Sequence, residues 1–129
     1  MKLNKILFSG AILGLLSVLM AAYVDHSVSL VRTGKSLDRV LIAIRYHQLY
    51  AIVITIMGLI FPLQTDRRIK SWLIKSAYFF ISGILLFSFS IYISSITGIF
   101  ALLHLVPIGG LIFMIGWVGL ICVACLRMK

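Results

Sequence analysis

Four apolar stretches, residues 6–23, 46–63, 72–95 and 107–126, take up most of this 129-residue chain and limit what it can fold into more than any other feature. Crossing a hydrocarbon core about 30 Å thick takes about 20 helical residues at roughly 1.5 Å each. All four stretches come near that length. A composition of 62% apolar and 12% charged residues excludes a soluble globular domain, for which about a half and about a quarter are usual.

Twelve Lys and Arg residues against three Asp give a net charge of +9. Nucleic-acid binding would need these cations gathered on one solvated face. They flank the apolar stretches instead, so they read as topology signals and no nucleic-acid partner is expected. Lys2 and Lys5 precede span one, and Arg32, Lys35, Arg39 and Arg45 follow it. Arg67, Arg68, Lys70 and Lys75 lie between spans two and three, none lies between three and four, and Arg127 and Lys129 close the chain. With an even number of spans, eight cations share the side of both termini against four on the other. The positive-inside rule then puts both termini in the cytoplasm and the protein, multi-pass, in a bacterial inner (plasma) membrane. Lys2 and Lys5 ahead of a run ending at Met20-Ala21-Ala22 also fit a secretory signal, but the run exceeds the usual h-region of about 7–15 residues. Span one is therefore read as retained.

The outer loop, 24–44, is the one long connection with polar content. Its second half places Leu37, Val40, Leu41 and Ile44 at helical spacing after Ser36, a candidate N-cap. Residues 27–34 alternate apolar and polar, as an interfacial segment would. The expectation is one all-α membrane domain over 1–129: four transmembrane helices, about 4–23, 45–63, 72–95 and 107–126, in a compact bundle.

Small residues line up on every span. At roughly 100° per residue, Gly10, Gly14, Ser17 and Ala21 fall within about 60° of one another. Span two aligns Ala51, Thr55, Gly58 and Pro62; span three Ser76, Gly83, Ser90 and Ser94; span four Gly109, Gly116 and Gly119. Small faces let helix backbones approach in lipid, so packing is the first reading of all of them.

The strings Leu86-Phe87-Ser88-Phe89-Ser90-Ile91-Tyr92, Pro107-Ile108-Gly109-Gly110 and Gly116-Trp117 resemble the small four-span bacterial membrane proteins of the YgdD/YwdK-like family, a domain of unknown function. The resemblance covers essentially the whole chain. It extends to His26 after span one and to Arg45-Tyr46 at the start of span two. The chain departs from the family's pattern at Phe89, where the FSGSLY-like string has glycine; at Val106, where Thr precedes the proline; at Val24-Asp25, where Gly-Ala precedes the histidine; and at Tyr50, in the place of a second histidine. The resemblance implies a fold and a location, and no established activity.

Polar groups outside the packing faces concentrate toward the outer end, in a candidate cluster of Asp25, His26, Arg45, Tyr46, His47, Ser88 and Tyr92, with His104 nearby. Asp25 and Arg45 should sit at similar depth, either paired or each reaching for water. His47 shares a face with Ala51 and Gly58 and should look into the bundle, as a hydrogen-bonded structural histidine or as a functional one. Zinc needs about four converging donors. The histidines lie in separate segments, so no metal and no cofactor is expected. Cys122 and Cys125 form a C-x-x-C on one helix, where a disulfide would be strained, and read as lipid-facing.

No Asp, Glu, Lys or Arg stands mid-span, which argues against a proton-coupled carrier. Pro107 with Gly109-Gly110 either breaks span four or, more simply, starts it. No nucleophile–base pair, phosphate loop or paired carboxylate is present, so an enzyme is not expected. The leading reading is a non-enzymatic membrane component acting through protein or lipid contacts, as a homo-oligomer or beside a membrane-protein partner. The alternative is a small-molecule or ion pathway around Arg45, Tyr46, His47, Ser88 and Tyr92. The charge bias predicts that a green fluorescent protein fused after Lys129 fluoresces in cells, while alkaline phosphatase fused there stays inactive. The opposite pair of signals would reverse the topology.

Overall fold

The computed structural model describes residues 2–31 and 34–127; Arg32 and Lys129, two of the flanking cations, lie outside them. The chain is an all-α membrane protein. Helix α1 (Lys5–Val31) is followed by α2 (Lys35–Ile60) and a 3₁₀ turn (Phe61–Leu63). Helix α3 (Arg67–Ile84) continues through a π-helical turn (Leu85–Phe89) into α4 (Ser90–Thr97), and a second 3₁₀ turn (Phe100–Leu105) leads into α5 (Val106–Arg127). Four segments are long and apolar enough to cross a membrane: Lys5–Ser27, Lys35–Leu63, Arg67–Thr97 and Phe100–Leu126.

Local chemistry sets the helix ends. Asn4 caps α1 by accepting from the Leu7 N–H at 3.1 Å, and Asp66 caps α3 by accepting from the Arg68 N–H at 2.7 Å. Gly98 ends α4 in the left-handed region at φ 75°, where a residue with a Cβ would be strained, and its N–H donates to the Ser94 carbonyl. Pro107 is the second residue of α5, a position that needs no intrahelical N–H bond, so it starts the helix without breaking it.

The segment expected as an outer loop, 24–44, is mostly helix. Helix α1 runs on to Val31 and α2 starts at Lys35, which leaves 32–34 as the connection. Ser36 is not the N-cap: Gly34 holds that position at φ 85° and no side chain caps the helix. Glycine's freedom at positive φ permits that conformation at the start of α2. Helical periodicity from Leu37 onward was legible, but the continuation of α1 past Ser27 was not, because that segment alternates apolar and polar residues as an interfacial segment would.

Helix α1 runs along α2, α5 runs along α3, and α2 also meets α3, the π turn and α4. Spans two and three are therefore central and spans one and four peripheral. One core cluster, at the end holding the 61–66 turn, joins Ile6, Ile54, Met57, Ile69, Leu73 and Phe80. The other, toward the 32–34 connection, joins Val24, Val40, Ala43, Ile44, Ile91 and Tyr92.

Glycines set both long contacts. A Cβ on Gly58 would stand 2.5 Å from the Leu7 backbone of α1, and one on Gly10 would stand 2.7 Å from the Thr55 N of α2. Asn4 Nδ2 adds a 2.7 Å hydrogen bond to the Gly58 carbonyl. Between spans three and four the fit is ring into notch: Gly83 takes Phe113, Gly116 takes Phe80, and Gly109 lies on the Phe87 backbone. A Cβ on Gly119 would collide with Ser76 Oγ. Ser17, Ser90 and Ser94 are buried. Gly14 differs, since a Cβ there would meet nothing within 4 Å. Gly58→Val should thus lower stability by about 2 kcal/mol or more, whereas Gly14→Ala should change it by less than about 0.5 kcal/mol. Equilibrium unfolding of the detergent-solubilised protein checks the contrast.

Candidate functional site

The polar residues expected to cluster separate into a closed group and an open one. Helix geometry is the cause: His47 and Arg45 are two positions apart on α2, roughly 200° around its axis. His47 lies on the face shared with Ala43, Ala51 and Ile54 and is fully buried, whereas Arg45 and Tyr46 are exposed.

The closed group sits where α2 meets the π turn. His47 Nδ1 lies 3.1 Å from the Tyr92 hydroxyl, and Ser88 Oγ donates to the Ala43 carbonyl at 2.7 Å. Ser88 and Tyr92, one turn apart, both reach α2 because the π turn widens the helix and shifts the phase of the residues beyond it. Before the turn, Gly83 faces Phe113 of span four. After it, the same helix addresses span two. The Phe89 ring meets His47 edge-on at 5.3 Å and 80°. The Leu13 carbonyl of α1 approaches the imidazole, yet Nε2 makes no hydrogen bond by distance and angle.

A second, partly buried group links spans two and four. Tyr50 stacks on Phe113 at 3.8 Å with rings 5° apart, and its hydroxyl accepts from Trp117 Nε1 at 2.9 Å. Phe80 packs edge-on against Trp117 at 5.5 Å. Sequence reasoning singled out neither this bond nor the Asn4–Gly58 bond. An asparagine just ahead of an apolar run was a legible capping signal. Nothing local marked Tyr50 and Trp117 as partners.

The open group comprises Asp25 and His26 on α1 and Arg45 and Tyr46 on α2, all exposed. Among the described residues Asp25 and Arg45 form no ion pair. Asp25 borders a groove of about 540 Å³ with Val24, Leu41 and Gln48. Tyr46 packs on Phe87 at 4.8 Å. His104 is exposed on the second 3₁₀ turn. Among the described residues no three His, Cys, Asp or Glu side chains converge as a metal site would require, and Cys122 and Cys125 are free thiols. The junction joins helices through hydrogen bonds, and its one unused group is a single imidazole nitrogen.

The model of the family described as "Protein of unknown function (DUF423)" matches residues 20–110. A UPF0382 membrane protein of Haemophilus influenzae is 30% identical over 121 residues, covering 91% of this chain and 90% of that protein. The UPF0382 inner membrane protein YgdD of Escherichia coli is 28% identical over 123 residues, covering 95% and 90%. The UPF0382 membrane protein YwdK of Bacillus subtilis is 30% identical over 120 residues, covering 89% and 91%. No solved structure matches the chain.

If His47 and Tyr92 act as an interhelical clasp, Tyr92→Phe should destabilise by about 0.5–1.5 kcal/mol, and a His47→Leu/Tyr92→Phe double-mutant cycle should give a coupling near ~0.6 kcal/mol. Equilibrium unfolding of the four proteins measures it. A coupling of zero would mean that the two side chains are merely neighbours.

Proposed function

Because the chain belongs to the DUF423 family, multi-pass membrane proteins whose activity the family description leaves open, we propose a role from the site itself. The protein is a non-catalytic membrane component that works through lateral contacts with protein or lipid. One observation carries this reading: at the junction of spans two, three and four the polar side chains bond from helix to helix, with only Ser76 Oγ and His47 Nε2 left unpartnered among the buried side-chain atoms of the described residues. Ser88 is bonded to Ala43, His47 to Tyr92 and Tyr50 to Trp117, and His47 and Ser88 are each 0% exposed. Phe89 and Tyr50, both departures from the pattern of the resembled family, contribute the rings that fill this interior. Spans one and four meanwhile turn apolar residues such as Leu15, Val18, Leu111 and Val118 outward. Those faces are where another molecule meets the protein.

The unpartnered Nε2 of His47 favours a second reading, a proton pathway that opens by separating α1 from the junction. Reconstitution distinguishes the two. Vesicles carrying the protein should leak protons and small cations no faster than protein-free vesicles, and a photo-crosslinker at Val18 should capture neighbours in native membranes while one at Phe113 does not. Proton flux that disappears in His47→Phe would remove the first reading and establish the second.

A further inference from the structure

We propose that the crevice between α1 and α3, at the end of the molecule holding the 61–66 turn, seats one anionic phospholipid. Lys2 and Lys5 hold the phosphate and an acyl chain lies along Ile6, Ala77 and Ile81. The proposal rests on the lateral-contact reading and names lipid as the partner.

The crevice results from how the helices are arranged. Helix α1 packs along α2 and meets α3 at few points, so the two diverge and leave a groove. Its volume is about 400 Å³, within the range of roughly 300–1,000 Å³ usual for ligand sites. Lys2 and Lys5 border it on one side and Phe61, Ile74 and Tyr78 on the other. Past Lys5, Ile6 and Tyr78 it narrows to a slot of about 20 Å³ reaching Ser9, Ala77 and Ile81. Those last residues belong to the membrane-crossing segments, so the groove runs from a cationic rim into the apolar depth of the spans. An acidic peptide at the surface would have no use for the apolar furrow; a molecule with an anionic head and a hydrocarbon tail meets the rim with one and lies along the mouth of the furrow with the other.

The charges point to the same occupant. Leaving the bilayer for an apolar crevice gains an acyl chain almost nothing, because the lipid around it is equally apolar. Selection must come from the headgroup. Arg67, Arg68, Lys70 and Lys75 stand at the same end, and the acid there, Asp66, is committed to capping α3. Lys70 Nζ lies 5.5 Å from the centre of the Phe61 ring and Lys75 Nζ 5.1 Å from that of Trp72. Those two ammonium groups are directed onto rings. Lys2 and Lys5 are exposed and, among the described residues, form no ion pair. Basic pockets between spans are where anionic headgroups bind.

Native mass spectrometry of the full chain in detergent, titrated with phosphatidylglycerol and with phosphatidylcholine of the same acyl chains, tests the seat. The expected result is saturable binding of one phosphatidylglycerol, preferred by roughly 10- to 30-fold, the effect of two lysines at a headgroup. The pair Lys2→Gln and Lys5→Gln should bring the two lipids to within about twofold, and Lys75→Gln should leave the preference unchanged. Ser9→Phe, which fills the slot and keeps both lysines, should weaken both lipids. Equal affinity for the two lipids, binding that does not saturate at one, or a loss with Lys75→Gln equal to that of the pair would overturn the proposal. Glycerol phosphate competing as well as the whole lipid would overturn it too, since no chain would then be needed. Absence of lipid preference in a protein that still passes no ions removes the seat alone; the flux result separately decides the broader reading.

Discussion

Between helices in a bilayer the hydrophobic effect supplies almost no attraction, because lipid tails are as apolar as leucine, and cohesion has to come from atoms in close contact. This fold meets that constraint with glycine. Gly58 against the Leu7 backbone and Gly10 against Thr55 bring α1 onto α2, near enough for Asn4 to bond the Gly58 carbonyl. Gly83 and Gly116 admit Phe113 and Phe80 as reciprocal knobs between spans three and four. With those distances set, the polar groups fall into place: an interhelical hydrogen bond forms only where the backbones are already close.

The π turn at Leu85–Phe89 is the second device on which the arrangement depends. A regular helix would keep one face toward span four along its whole length. The wider turn lets one span serve two neighbours, with Gly83 toward Phe113 and, beyond the turn, Ser88 and Tyr92 toward α2. The cost of a poorer backbone ladder is offset by two buried hydrogen bonds and by the seating of Gly109 on the Phe87 backbone. It also explains why the candidate site is closed. The re-phased helix lays Phe89 against His47, and the ring occupies space that water would need.

Much of the architecture was legible in the residues. Four apolar stretches gave four spans, Pro107 marked a helix start, and His47 on the face of Ala51 and Gly58 pointed inward as the periodicity required. The site was legible as residue types and not as a constellation. Asp25, His26, Arg45 and Tyr46 shared a depth with His47, and depth suggested proximity. Facing decided otherwise, since two residues along a helix separate side chains to nearly opposite sides. Gly14 makes the same point for packing: it lies in line with Gly10 and Ser17 in sequence, yet it stands off the face that α1 turns to α2, and a Cβ there would meet nothing within 4 Å.

The sequence by itself determined the class of solvent, the number of spans, the helix start at Pro107 and the inward faces of α2 and α3. Each depends on composition or on a period of about 3.6 residues, and both are local properties. Only the tertiary structure decided that α1 extends to Val31 and α2 begins at Lys35, that the third span is re-phased at Leu85–Phe89, that Tyr50 pairs with Trp117, and that α1 and α3 diverge into a lysine-rimmed crevice. These depend on where one helix meets another. That is set by contact distances between residues far apart in the chain, which no local period encodes.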